Sequence, residues 1–147
     1  LTATPARGAP EKERNMPNNP FAGKWIYRSY LNEPSMPEFG EGTFIFDDTP
    51  LGHLTGKLMM PITSPTLQLD LRGNFQLGTP FAVRFQGNGV AGTPTAGWIY
   101  NYIGYYIPEW PDGVKQVPAF VGSVIRTVPH GPGAPAGVVA SFIAIRA

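Results

Sequence analysis

From Lys24 to its end the chain holds no helical period of useful length, and this constrains its folding more than any other feature. Short runs rich in Ile, Val, Phe, Tyr and Thr recur instead, each closed by Gly, Pro, Asn or Asp, the punctuation of strands and tight turns. Eight such runs follow one another: KWIYRSYL (24–31), GTFIFDD (42–48), LTGKLMM (54–60), TLQLDL (66–71), PFAVRFQG (80–87), AGWIYNYIGYYI (96–107), QVPAFVGSVIRTV (116–128) and GVVASFIAIR (137–146). The alternation is cleanest in TLQLDL, where Leu67, Leu69 and Leu71 share one face and Thr66, Gln68 and Asp70 the other, as in a half-buried antiparallel strand. The links between runs read as turns, among them RGN after Leu71 and PEWPDG after Ile107. Eight consecutive strands without a helix predict an all-β, eight-stranded antiparallel up-and-down sheet, and closure into a barrel removes its exposed edges.

The 18 glycines and 17 prolines are spread between apolar runs, which fits frequent turns rather than a collagen or a linker. A chain of 147 residues fits one domain with a real core. Residues 1–20, with four prolines and the mixed charges of EKER, read as a polar tail ahead of a barrel domain over 21–147. The formal charge of +1 argues against nucleic acid as the main partner, since phosphate binding needs a basic stripe. The absence of cysteine removes disulfides, thiol catalysis and thiolate metal sites. No apolar run is long enough to span a bilayer as a helix. The first residue is Leu1, not Met; a removed leader and a trimmed piece are both compatible with that, so a secreted or periplasmic setting stays open.

FAGKWIY, residues 21–27, resembles the F-x-G-x-W signature that opens the first strand of calycins, the group holding lipocalins, fatty-acid-binding proteins and avidins. The resemblance implies that Trp25 plugs the closed end of a barrel and that an arginine of the last strand, here Arg146, lies across it. Length, strand count, GKW and GHLTGKL are most similar to avidins among them. The avidin ligand contacts are replaced, however: Tyr27 and Leu31 stand where small polar groups would hold the biotin ureido group. Phe85 or a neighbour stands at the tryptophan position of the fifth strand, and Gly122 and Ser123 at that of the seventh. A site built on polar contacts loses heavily when one is missing, so biotin is not the expected ligand.

With Trp25 inward, a period of two also sends Tyr27 and Ser29 inward. In the sixth run Trp98, Tyr100 and Tyr102 share one face and Ile99, Asn101 and Ile103 the other, and the pattern leaves open which is inside. An inward aromatic face with phenolic hydroxyls would suit a small, largely apolar or aromatic ligand; the same rings would serve equally as core or as an interface. The expected ligand-binding set is Tyr27, Ser29, Phe85, Trp98, Tyr100, Tyr102 and Ser123, with Trp25 and Arg146 closing the barrel. Arg84 and Arg126 interrupt apolar strands; an inward one could grip a carboxylate, and the plainer reading is an outward or rim arginine, or one paired with Asp70 or Glu109.

A small-molecule-binding barrel is the first functional expectation. A cofactor-free cyclase or isomerase using Tyr27, Tyr100, Tyr102 or Arg84 is the alternative, and a purely structural barrel, filled and empty of ligand, the third. No cofactor is implied. His53 and His130 lie in Gly/Pro-rich connections with no metal-ligand spacing, and no serine has nucleophile-elbow context. Trp110 lies in a hairpin-like loop that could also serve as a lid over the mouth. Several strands are apolar on both faces, the last above all, so a homo-oligomer is expected to cover the outer face.

Overall fold

The computed structural model describes residues 19–50, 52–60 and 67–147; the tail expected over 1–20 falls outside them up to residue 18, as does Thr66. The described chain is all-β. Its strands are β1 (Gly23–Leu31), β2 (Glu38–Phe46), β3 (His53–Met60), β4 (Leu67–Gln76), β5 (Ala82–Gly89), β6 (Ile99–Ile107), β7 (Ala119–Arg126) and β8 (Val139–Arg146). Each pairs antiparallel with the next, and β8 returns to β1, closing an up-and-down barrel in sequence order.

Each of the eight runs overlaps one strand, and two of the shifted boundaries have a clear physical reason. RGN, Arg72 to Asn74, is not a turn: it lies within β4, paired with Gln86, Phe85 and Arg84 of β5. Gly73 is there because the neighbouring strand comes too close for a side chain. A Cβ at that position would stand 2.0 Å from the Arg84 carbonyl oxygen. β2 starts at Glu38, four residues before the expected run, because backbone pairing to β1 extends through its polar and glycine residues. The register there slips between Ser29 and Tyr30, so Phe39 is the extra residue of a β-bulge.

Register fixes what points inward. Trp25 faces Phe44 and Arg146, Tyr27 faces Gly42 and Ala144, and Ser29 faces Gly40 and Phe142. On β6 the inward residues are Tyr100, Tyr102 and Gly104, since they pair with buried Gly87, Phe85 and Val83. At the closed end Phe21, Trp25 and Phe120 are fully buried, with Phe21 and Phe120 meeting edge to face at 5.5 Å and Trp25 and Phe120 at 4.9 Å. Above them Phe44, Phe85, Tyr102 and Phe142 fill the middle of the barrel, Phe85 and Tyr102 stacked at 4.6 Å. Rings of this size, each able to bury on the order of 200 Å², leave little free space at mid-barrel.

The glycine of the opening signature has two reasons to be glycine. Gly23 adopts φ = 109°, which L side chains rarely tolerate, and a Cβ there would lie 3.0 Å from the Arg146 guanidinium. The chain before it is anchored as well. Asn19, fully buried, accepts from the Phe21 N–H at 2.7 Å and donates to Thr49 Oγ1 at 3.0 Å.

Outside the barrel the two sides differ. β4 and β5 present Asp70, Arg72, Arg84, Gln86 and Asn88 outward, whereas β6 to β8 present Tyr105, Ile125, Val139 and Ile143, and β1 presents Ile26 between exposed Lys24 and Arg28. The 108–118 connection, with Trp110, links strand ends at the closed end, so it cannot serve as a lid over the opposite mouth. Gln116 fixes it by accepting from the Trp110 N–H at 3.1 Å and donating to the Trp110 carbonyl at 2.8 Å.

Candidate functional site

The open end is where β1 finishes and β2, β6 and β8 begin, and there the inward residues change from closely packed rings to a mixture of rings and hydroxyls. A cleft of about 70 Å³ opens between β1, β2, β3 and β6, lined chiefly by Tyr27, Phe39, Met60, Trp98, Tyr100 and Tyr102. The bulge at Phe39 makes this possible, because the extra residue aims a ring across the mouth to within 6.2 Å of Tyr100. Ser29 is fully buried below, and Gly40 opposite it supplies a carbonyl in place of a side chain.

The floor is a small hydroxyl network. Tyr27 donates to Ser29 Oγ at 2.8 Å, and Ser29 donates to the Gly40 carbonyl at 3.3 Å. Tyr102 lies against Tyr27, with ring centroids 6.2 Å apart. Burial pushes both phenols up from the usual tyrosine range, that of Tyr102 reinforced by the neighbouring Tyr27, so both are protonated across the physiological range.

The rim carries a second network. Arg126, the last inward residue of β7, donates its Nε–H to the Tyr100 hydroxyl at 3.0 Å and an Nη1–H to the Pro135 carbonyl at 3.2 Å. Tyr100 meets His130 Nε2 at 2.6 Å, and the imidazole stacks on Trp98 with centroids 3.9 Å apart. The β7–β8 connection is thus tied to the rim by Arg126 of β7, Tyr100 of β6 and Trp98 just before β6. Partial burial, and then the Arg126 charge, hold His130 below the ordinary histidine value, so it is neutral at pH 7.

Of the residues expected at the site, Tyr27, Trp98, Tyr100 and Tyr102 come together around the cleft and Ser29 supports its floor. Phe85 is inward but lies beneath, stacked on Tyr102 in the packed interior. Two placements differ from expectation. Ser123 points outward between inward Gly122 and Val124, its hydroxyl bonded to the Ala140 carbonyl at 3.3 Å. Arg84 is exposed on the outer face of β5, paired across strands with Asn74 and Ile103, so it cannot act on anything held inside. The inward arginine is Arg126, and the partners it finds are Tyr100 and Pro135 rather than Asp70 or Glu109. Trp25 and Arg146 do meet, the guanidinium 4.2 Å from the indole ring centroid.

Sequence reasoning missed Phe39, Met60 and His130. Phe39 enters through a bulge, which shows no signal in EFGEG, and His130 reaches the rim only because its connection folds back. Among the described residues no three His, Cys, Asp or Glu side chains gather as a metal site. Comparison of this chain with protein-family models, with curated proteins and with solved structures returns no match.

Proposed function

We propose that this barrel is a small-molecule-binding protein that holds the end of a small, largely apolar or aromatic ligand in the cleft at its open end. The observation that carries the reading is the cleft itself: aromatic walls from Phe39, Trp98 and Tyr100 above a buried hydroxyl floor of Tyr27 and Ser29. A mostly apolar concavity with a few convergent polar groups is the usual form of a small-ligand site. At about 70 Å³ the cleft is well below the ~150 Å³ that holds a benzene ring in an apolar cavity, so it would take the tip of a ligand whose remainder rests on the rim. A calycin-like relationship, proposed on FAGKWIY and the Trp25–Arg146 stack, is compatible with binding at a barrel mouth.

A native mass spectrum of freshly purified protein, followed by a denaturing run, tests this reading. Extra mass lost on denaturation supports binding and supplies the molecule. An empty protein that also fails to shift in titrations with small aromatic probes overturns it. The same spectrum counts chains. The largely apolar outer face of β6 to β8 supports a homo-oligomer, and a single-chain mass would refute that part alone.

A cofactor-free enzyme is the second reading, and the placement of Tyr100 between a guanidinium and an imidazole favours it. A binder keeps its function through Tyr100→Phe with a modest loss of affinity. An enzyme with Tyr100 as its acid or base keeps affinity and loses turnover.

A further inference from the structure

The hydroxyls around the cleft are directed, and their direction says what a ligand must bring. A backbone carbonyl only accepts, so the bond to Gly40 commits the Ser29 proton, at 3.3 Å. Tyr27 then gives its own proton to Ser29 Oγ, at 2.8 Å.

The rim repeats the pattern. A guanidinium only donates, so the Tyr100 oxygen is the acceptor in its 3.0 Å bond from Arg126. With its oxygen already accepting from Arg126, Tyr100 is assigned as the donor to His130 Nε2 at 2.6 Å, as fits a neutral imidazole that carries its proton on the other nitrogen. Tyr27 and Tyr100 both line the cleft, and both send their protons into the protein. What they turn toward the cleft is lone pairs.

We propose that the cleft selects an uncharged aromatic molecule carrying an O–H or N–H donor, a phenol or an N–H heterocycle, over the ether, carbonyl or carboxylate of the same shape. The proposal rests on the binding reading above and adds the class of ligand. An ether or carbonyl oxygen would face phenol lone pairs unless a hydroxyl abandoned its present partner, and a buried polar atom left unpaired is costly. A carboxylate would add a buried charge against the same lone pairs. A phenol places its donor at the floor and leaves its ring against the aromatic rim.

The test is a set of titrations of the full chain near neutral pH with phenol, anisole, benzaldehyde and benzoate, followed by calorimetry and by ligand-observed NMR. Phenol is expected to bind about tenfold more tightly than anisole or benzaldehyde. Anisole or benzaldehyde binding as well as phenol overturns the proposal while leaving the binding reading intact. Preference for benzoate also overturns it and assigns the anchor to Arg126. Binding of none of the four refutes the binding reading itself, and this inference with it. Ser29→Ala frees the Tyr27 proton to turn toward the cleft, so the preference for phenol over benzaldehyde should shrink severalfold. An unchanged preference in the folded variant contradicts the assigned direction. If Ser29→Ala fails to fold, His130→Phe makes the same test at the rim: it removes the acceptor of the Tyr100 proton and keeps a ring against Trp98.

Discussion

Trp25 and Arg146, 121 residues apart in the chain, sit directly opposite each other across β1 and β8, and the guanidinium covers the indole at 4.2 Å. The same guanidinium donates to the carbonyls of Ala22 and Pro20, each at 2.7 Å, while the indole N–H donates to the Phe21 carbonyl at 2.7 Å. One residue pair therefore joins the first strand to the last and ties down the chain that enters the barrel.

Arg146→Ala should destabilise the protein by about 2–3 kcal/mol, adding a lost cation–π contact to two carbonyls left without their charged donor. Arg146→Lys should recover less than half of this, because an ammonium cannot stack flat and reach both carbonyls together. Urea unfolding followed by Trp fluorescence measures it; a loss in Arg146→Ala below about 0.5 kcal/mol would mean that the stack does not hold the ends.

Gly73→Ala should cost at least ~2 kcal/mol although it adds only one methyl group, because the Cβ would fall 2.0 Å from the Arg84 carbonyl oxygen and 2.5 Å from the Phe85 Cα. Gly92→Ala is the control for backbone strain without crowding, since nothing lies within 4 Å of a Cβ there and only its φ of 81° opposes the change. Thermal melting of the two variants compares crowding with strain; Gly73→Ala melting at or above Gly92→Ala would contradict the close strand approach.

His130 gives the fold a pH dependence of known sign. Its folded-state value is below the ordinary ~6.5 of a free histidine. The stability it contributes is therefore fully present above that ordinary value and is lost as the pH falls through the lowered one. Unfolding free energies of wild type and His130→Gln, measured at a series of pH values, should converge as the solution is acidified. NMR titration of the imidazole should give a midpoint below that of a model peptide, and a raised midpoint would refute the neutral partnership with Tyr100.

Phe39→Ala should weaken binding of an aromatic probe such as phenol about tenfold or more while changing stability little, since Phe39 is only half-buried and stands at a bulge. Phe44→Ala, at the fully buried centre, should instead cost ~3–5 kcal/mol. Chemical unfolding and calorimetry on both variants separate the roles. A Phe39→Ala protein that binds phenol as wild type does would remove the mouth cleft from consideration.

Eight strands, their order and the barrel were legible because inward and outward side chains alternate along strands such as Leu67–Leu71, and because turn residues separate the runs. The Trp25–Arg146 stack was legible only through the resemblance of FAGKWIY to a known strand signature, which implied an arginine of the last strand across that tryptophan. Gly73 was misread as a turn because a glycine required by a neighbouring strand and a glycine required by a turn look alike in one dimension. Which face of β6 points inward depends on its pairing to Phe85 and Val124 of the adjoining strands, and those contacts are long-range. The same holds for Phe39, His130 and Arg126, whose meeting at the mouth requires a bulge, a folded-back connection and a closed register. Local alternation and turn chemistry, which act between neighbours in the chain, determined the architecture; the cleft and the direction of its hydrogen bonds were decided only when strands far apart in sequence came into register, because a proton's direction depends on which acceptor lies across the gap.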